Sequence, residues 1–169
     1  MAQTAPFDAA ALDALYQRLE KPMYNVVYRR LGNAEESMDV VQESFAKVWK
    51  ARDRVLLETA EAYAWRTALN LASNRRRSQR LWSWFSFDDE RDGGEDAGAE
   101  SGVQSRQREA AVRAAVDSLP EKMRDVVLLC EFSAMTQAEV AAVLDIPPGT
   151  VASRRHLAAA KLRELLEGV

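Results

Sequence analysis

One cysteine and one histidine are all that 169 residues hold of two common metal-ligating side chains. Cys130 alone cannot close an intramolecular disulfide, and one thiol with one imidazole cannot build a Cys/His zinc site. No metal or cofactor is therefore expected. Catalytic signals are also missing: there is no glycine-rich phosphate loop, no second histidine for base chemistry and no Cys/His nucleophile pair, so the chain does not read as an enzyme. No apolar run approaches the roughly 20 residues that cross a bilayer. The opening residues, MAQTAPFDAAALDALYQ, carry Asp8 and Asp13 and no basic start. This predicts a cytoplasmic protein that does not insert into a membrane.

Glycine is scarce and unevenly placed. Four of the seven glycines fall between Asp88 and Gly102, in DDERDGGEDAGAESG, where no large apolar residue occurs. Charge is uneven in the same way. Residues 1–85 hold 13 basic and 10 acidic side chains, residues 86–107 hold 2 and 7, and residues 108–169 hold 8 and 9. A like-charged, glycine-rich stretch cannot bury enough surface to offset its ordering entropy. The expected organisation is all-α, with two small helical domains at 8–85 and 108–167 joined by a flexible acidic linker at 86–107. A long surface loop inside a single domain fits the same letters, although such loops are uncommon in compact domains.

In the first half, Leu12, Leu15, Tyr16, Leu19, Met23, Val26 and Val27 recur at helical steps, with Pro22 inside the run and Gly32 at its end. A second helix is expected over about residues 34–52, with Met38, Val41, Phe45 and Val48 on one face and Asp39, Gln42, Glu43 and Lys47 on another. Thr59 is placed to cap a third helix. On that helix Arg66, Asn70, Asn74 and Arg77 form one stripe, while Trp65, Leu69 and Ala72 form a second. The polar stripe, with Tyr63 nearby as a stacking face, suits a nucleic-acid backbone and an unpaired base. A solvated face ending in basic residues that favour the helix dipole explains the same letters.

In the second half, Ser118-Leu-Pro-Glu121 and Thr136-Gln-Ala-Glu139 share the spacing of a capping box, predicting two helix starts. Met123, Val126, Val127 and Cys130 lie on one apolar face, which makes Cys130 a core residue rather than a reactive one. A short helix carrying Val140, Val143 and Leu144 stops at Asp145-Ile-Pro-Pro-Gly149. A longer helix follows, containing TVASRRH. Short helix, tight turn and longer helix read as a helix-turn-helix, a unit that binds DNA but also occurs as plain packing.

These residues together resemble the bacterial RNA polymerase sigma factors. DVVQESFAKVW (Asp39 to Trp49) with AYAWRTALNLASNRRR (Ala62 to Arg77) is similar to their second conserved domain. LPEKMRDVVLLCEFSAMTQAEVAAVLDIPPGTVASRRHLAAAKLREL is similar to their fourth, and the pair without recognisable intervening domains is the pattern of the extracytoplasmic-function type. The resemblance implies that Asp39, Gln42, Glu43 and Phe45 bind core RNA polymerase. It implies that the loop holding Leu57 and Glu58 captures a flipped base of the promoter −10 element. Tyr63, Trp65, Arg66, Asn70, Asn74 and Arg77 would then lie against the melting promoter. It further implies that Thr150, Ser153, Arg154, Arg155, His156 and Leu157 meet the −35 element, and that an anti-sigma factor is a partner. The family commonly has arginine at the positions of Ala152 and Leu157, so guanine readout by those two forks is absent, leaving Ser153, His156, a leucine for thymine methyls and groove shape. The competing reading is a stand-alone helix-turn-helix regulator that binds an operator without polymerase.

Overall fold

The computed structural model describes residues 7–85 and 100–167, with side chains described for 7–81 and 106–167. Among these residues there are seven helices and no strand: α1 (Ala9–Leu31), α2 (Ala34–Lys50), α3 (Leu57–Phe85), α4 (Glu100–Ser118), α5 (Glu121–Phe132), α6 (Gln137–Leu144) and α7 (Pro148–Leu166). The class is all-α, as expected. Residues 86–99, the larger part of the expected acidic linker, lie outside the described residues. Residues 100–107 of that expected linker belong to α4, where the glycines stop at Gly102 and helix-forming Gln, Arg, Glu and Ala take over.

Local chemistry explains most boundaries. Asp8 caps α1 by accepting from the Ala11 amide at 2.9 Å, and Asn33 caps α2 by accepting from the Glu36 amide at 2.9 Å. Pro22 lies within α1 rather than ending it. Gly32, at φ 73°, turns the chain out of α1, and its N–H bonds the Tyr28 carbonyl. A Cβ there would stand 2.5 Å from Arg113 Nη1, the mobile end of a long side chain that can move aside. Glycine is thus required by the left-handed backbone.

Two expected caps are corrected. Helix α3 begins at Leu57, and Thr59 instead donates its hydroxyl to the Leu56 carbonyl at 3.0 Å. Ser118 forms no capping box: Pro120 is the N-cap of α5, and the Ser118 hydroxyl donates to the Ala115 carbonyl at 2.7 Å. The carboxylate meant for that box, Glu121, is engaged by Arg30 and Ser73. A charged donor from another helix outcompetes a local amide for the same acceptor.

The second box forms. The Thr136 hydroxyl accepts from the Glu139 amide at 3.3 Å and Glu139 accepts from the Thr136 amide at 2.7 Å. These bonds hold the Glu139 carboxyl below its usual range. Thr136→Ala is therefore expected to cost about 1 kcal/mol, read as a melting temperature lower by about 2–4 °C. Because the carboxyl is depressed in the folded state, the contribution is complete at neutral pH and fades as pH falls through the folded value. A melting temperature equal to wild type at pH 7 would refute the cap's contribution.

The apolar faces meet in one main core. Met23, Val26, Val40, Val48, Trp65 and Ala68 from α1–α3 are continuous with Val126, Leu129, Val140 and Val151 from α5–α7. A smaller cluster of Leu119, Val127 and Ala158 lies under Met123 and Leu162. The two helical halves are therefore packed on each other, with α5 against α1 and α6 against α3. Buried Arg124 secures the α4–α5 corner by donating to the carbonyls of Val116 (3.2 Å) and Leu119 (2.7 Å), which the end of a helix leaves without partners.

Candidate polymerase and nucleic-acid surfaces

On α2, Asp39 and Gln42 are exposed and Glu43 is half-buried. Phe45 is not at the surface: it is 5% exposed, with its ring edge-on to Tyr16 at 4.9 Å between centroids. It supports the acidic face from beneath. That face is bound to α3 by Arg75, which lies 3.3 Å from Glu43 and 3.7 Å from Asp39 and donates to the Glu36 carbonyl at 3.2 Å. Gln79 adds a bond to the Glu36 carboxylate at 2.5 Å. The α2 acids thus form a positioned surface rather than a row of independent charges. By sequence pattern Arg75 reads only as part of a basic helix end.

Helix α3 presents three stripes. Ala60, Ala64, Trp65, Ala68, Leu69 and Ala72 are buried, so Trp65 is core and not a surface contact. Arg66, Asn70, Asn74 and Arg77 form the exposed stripe anticipated from spacing. Ser73, Arg76 and Arg80 form a third, turned toward α4 and α5. At the start of α3 an open cleft of about 570 Å³ is lined by Lys47, Lys50, Arg54, Tyr63 and Arg66. Leu56 and Leu57 stand 51% and 41% exposed beside Glu58. Cations, a phenol ring and exposed aliphatic side chains together can hold a phosphate and an unstacked base. Lys50 and Arg54 were missed from sequence, although the basic spacing in KARDR (residues 50–54) was a signal for them.

On α7, buried Val151 and Ala158 seat the helix, and Ala152, Ser153, His156 and Leu157 face outward, Leu157 at 53% exposure. Thr150 and Arg154 are half-buried. The Ser153 hydroxyl donates to the Thr150 carbonyl at 3.1 Å. Arg155 is held by Glu131 of α5 through two bonds of 3.0 and 2.7 Å, and that partner raises its pKa further. Asp145, in the left-handed region at φ 53°, makes the turn before α7, and Gln137 ties α6 to α7 through the Pro148 carbonyl at 2.7 Å. Cys130 is half-buried, and burial pushes its thiol up, which leaves it a weak nucleophile at neutral pH. No helix of the described residues is long and apolar enough to cross a membrane.

Comparison with known proteins agrees with this arrangement. Residues 15–81 match the family described as Sigma-70 region 2, and residues 109–162 match Sigma-70, region 4. The chain is 32% identical to the ECF RNA polymerase sigma factor SigE of Mycolicibacterium smegmatis, over 96% of this chain and 67% of that one. It is 30% identical to the ECF RNA polymerase sigma-E factor of Escherichia coli K12, over 87% of this chain and 82% of that one. Among solved structures, CnrH in complex with the cytosolic domain of CnrY superposes with a TM-score of 0.70 at 25% identity, covering 98% of this chain and 94% of that one. The Bartonella quintana sigma factor RpoE, solved with the anti-sigma factor NepR, shares the fold at a TM-score of 0.58 and 20% identity, covering 94% and 93%. The exposed α3 stripe and the helix-turn-helix of α6 and α7 fall within the two matched regions, and the chain belongs to the extracytoplasmic-function RNA polymerase sigma factors.

Proposed function

We propose that this sigma factor divides its work between the surfaces described above. The α2 face of Asp39, Gln42 and Glu43 docks on core RNA polymerase, with Phe45 setting its shape. The cleft of Lys47, Lys50, Arg54, Tyr63 and Arg66, with Leu57 and Glu58 at its edge, takes an unstacked base of the −10 element. Asn70, Asn74 and Arg77 hold the melting strand. On α7, Thr150, Ser153, His156 and Leu157 meet the −35 element, and Arg154 and Arg155 act on phosphates, Arg155 at the cost of its bond to Glu131. The observation that carries this reading is the exposed stripe Arg66, Asn70, Asn74 and Arg77 on the helix whose opposite face buries Trp65.

Several coarser features support it. A sequence pI near 5.4 disfavours strong binding to bulk DNA, since nonspecific affinity grows with the phosphates neutralised, so promoter binding depends on polymerase. The protein is not itself an enzyme; polymerase supplies the chemistry. It works in the cytoplasm, where polymerase is, and an anti-sigma factor holds it inactive, as the solved complex of RpoE with NepR suggests by similarity.

Reconstituted transcription on promoters carrying both elements tests the assignment. Asn74→Ala with Arg77→Ala is expected to lower open-complex formation by about 30-fold or more, each lost polar contact being worth about 1–3 kcal/mol, while affinity for core polymerase stays within about 2-fold. Permanganate reactivity of the −10 strand reads the first quantity and competition against a labelled sigma factor reads the second. Equal losses in both would assign these residues to folding or polymerase contact instead of DNA.

A further inference from the structure

Arginine gathers on the side of α3 that the exposed stripe does not occupy. An open cleft of about 800 Å³ is lined there by Arg76 and Arg80 of α3, Arg113 of α4 and Arg124 in the first turn of α5. Asp117 of α4 is the single acid among the lining residues. The cleft stays unfilled because α4 lines it with Ala110 and Ala114, four residues apart on one face and too short to reach across. None of these arginines belongs to the polymerase face, the −10 cleft, the exposed α3 stripe or α7.

Their hydrogen bonds satisfy donors without balancing charge. Arg76 pairs with Asp117, yet its Nε is buried with no hydrogen-bond partner among the described residues. Arg80 donates to the Asp117 carbonyl at 3.5 Å, longer than an ordinary bond. Arg124 is 8% exposed and donates through Nε and Nη2 to the carbonyls of Val116, Asp117 and Leu119 at 3.2, 2.5 and 2.7 Å. Its Nη1 has no hydrogen-bond partner among the described residues. Carbonyl oxygens are neutral, so the guanidinium charge remains. Burial first, and then the nearby charges of Arg30 and Arg80, hold the Arg124 pKa below its ordinary value against the opposite pull of Asp117 and Asp125. In a chain of formal charge −3, the lining therefore carries three more positive charges than negative ones.

An anion relieves that excess, and guanidinium geometry selects its kind. The planar fork donates two parallel bonds to phosphate oxygens, and several forks around one recess suit several phosphoryl groups. A single univalent anion would leave most of the excess unbalanced. Two or more linked phosphoryl groups balance it and reach arginines on different helices. The cleft also has the size of a small-molecule site. A duplex is a stiff convex rod that meets exposed side chains, whereas Arg124 is recessed. We infer that this cleft binds a small oligophosphate, a molecule carrying at least two linked phosphoryl groups, through Arg80, Arg113 and Arg124 with Arg76 at its edge. The site stands apart from the polymerase and promoter surfaces, so its test needs neither and its failure leaves the two-element reading untouched.

Calorimetric titration of the full chain with inorganic diphosphate, at fixed ionic strength and without divalent cations, provides that test. One site per chain is expected, with diphosphate bound at least about 10-fold more tightly than orthophosphate. Arg80→Gln with Arg113→Gln should weaken diphosphate binding by at least about 10-fold, with helicity and the melting temperature of the unliganded chain retained. If that pair does not fold, Arg80→Gln alone, at an exposed position, should weaken it by about 3-fold or more. Lys161→Gln with Arg163→Gln removes two exposed charges of α7 outside the cleft and should leave the affinity within about 2-fold. Nucleoside diphosphates bound more tightly than diphosphate itself would place the ligand among nucleotides, and the reverse among free oligophosphates; both support the cleft. A dissociation constant above about 1 mM would overturn the inference, as would equal affinity for orthophosphate and diphosphate. An equal loss in the α7 variant would reduce the binding to general charge. Displacement of diphosphate by duplex DNA with the same dependence on Arg80 and Arg113 would overturn it too, by making the cleft a nucleic-acid surface.

Discussion

Trp65→Ala is expected to destabilise the protein by about 3–5 kcal/mol, the usual range for emptying a large aromatic site in a core, and to lower the melting temperature by roughly 10 °C or more. The indole is 0% exposed and belongs to the core that joins α1–α3 to α5–α7. A void there therefore weakens both the first helical half and its seat for the second. Trp65→Phe should behave differently. The indole Nε1 is buried without a hydrogen-bond partner among the described residues. Phenylalanine gives up volume but also removes an unsatisfied donor, whose burial costs about 1–3 kcal/mol, so the two changes offset and the variant should melt close to wild type. Thermal unfolding followed by circular dichroism checks both. An alanine variant melting within 2 °C of wild type on the order of measurement error would refute the core assignment.

Reversing Asp39 and Glu43 to lysine is expected to weaken binding to core polymerase by about 100-fold, since juxtaposed like charges at an interface cost several kcal/mol. The same change sets two cations beside Arg75, which now lies within 3.7 Å of both acids. Asp39 is 57% exposed at its side chain, so the internal penalty is screened and should stay within about 1 kcal/mol. Melting temperature therefore separates loss of the interface from loss of fold. The binding defect should shrink as salt rises, because exposed charges are screened over about 8–10 Å at moderate ionic strength. Affinity within 2-fold of wild type, on the order of assay scatter, would remove Asp39 and Glu43 from the polymerase surface.

Much of the molecule was legible before any coordinates. The periodicity of Leu15, Leu19, Met23 and Val26 and the stripe Arg66, Asn70, Asn74 and Arg77 identified helical faces, because side chains three and four apart share a face whatever the helix packs against. The helix-turn-helix was legible because its turn is built from local chemistry: the Thr136 box, Asp145 in the left-handed region and Pro147-Pro148 at the next start. The apolar periodicity around Trp65 marked it for the core, while family resemblance alone placed it against DNA, and burial decided for the core.

The relations between helices were a different matter. Ser118 and Thr136 stand in the same spacing before a glutamate, yet only Thr136 caps its helix. Ser73 and Arg30, 48 and 91 residues away in sequence, engage Glu121 instead. Periodicity says which face of a helix is apolar and which is polar; it carries no information on which two faces meet, because that choice is set by shape and charge across long sequence separations. Helical faces and the Thr136 cap were thus legible in the sequence alone, whereas the Thr59 and Ser118 caps expected from it did not form. That the two halves meet through Arg30, Ser73, Glu121 and Asp125 was decided only in the tertiary structure, where a buried Arg30 draws three less buried polar side chains into one coupled network.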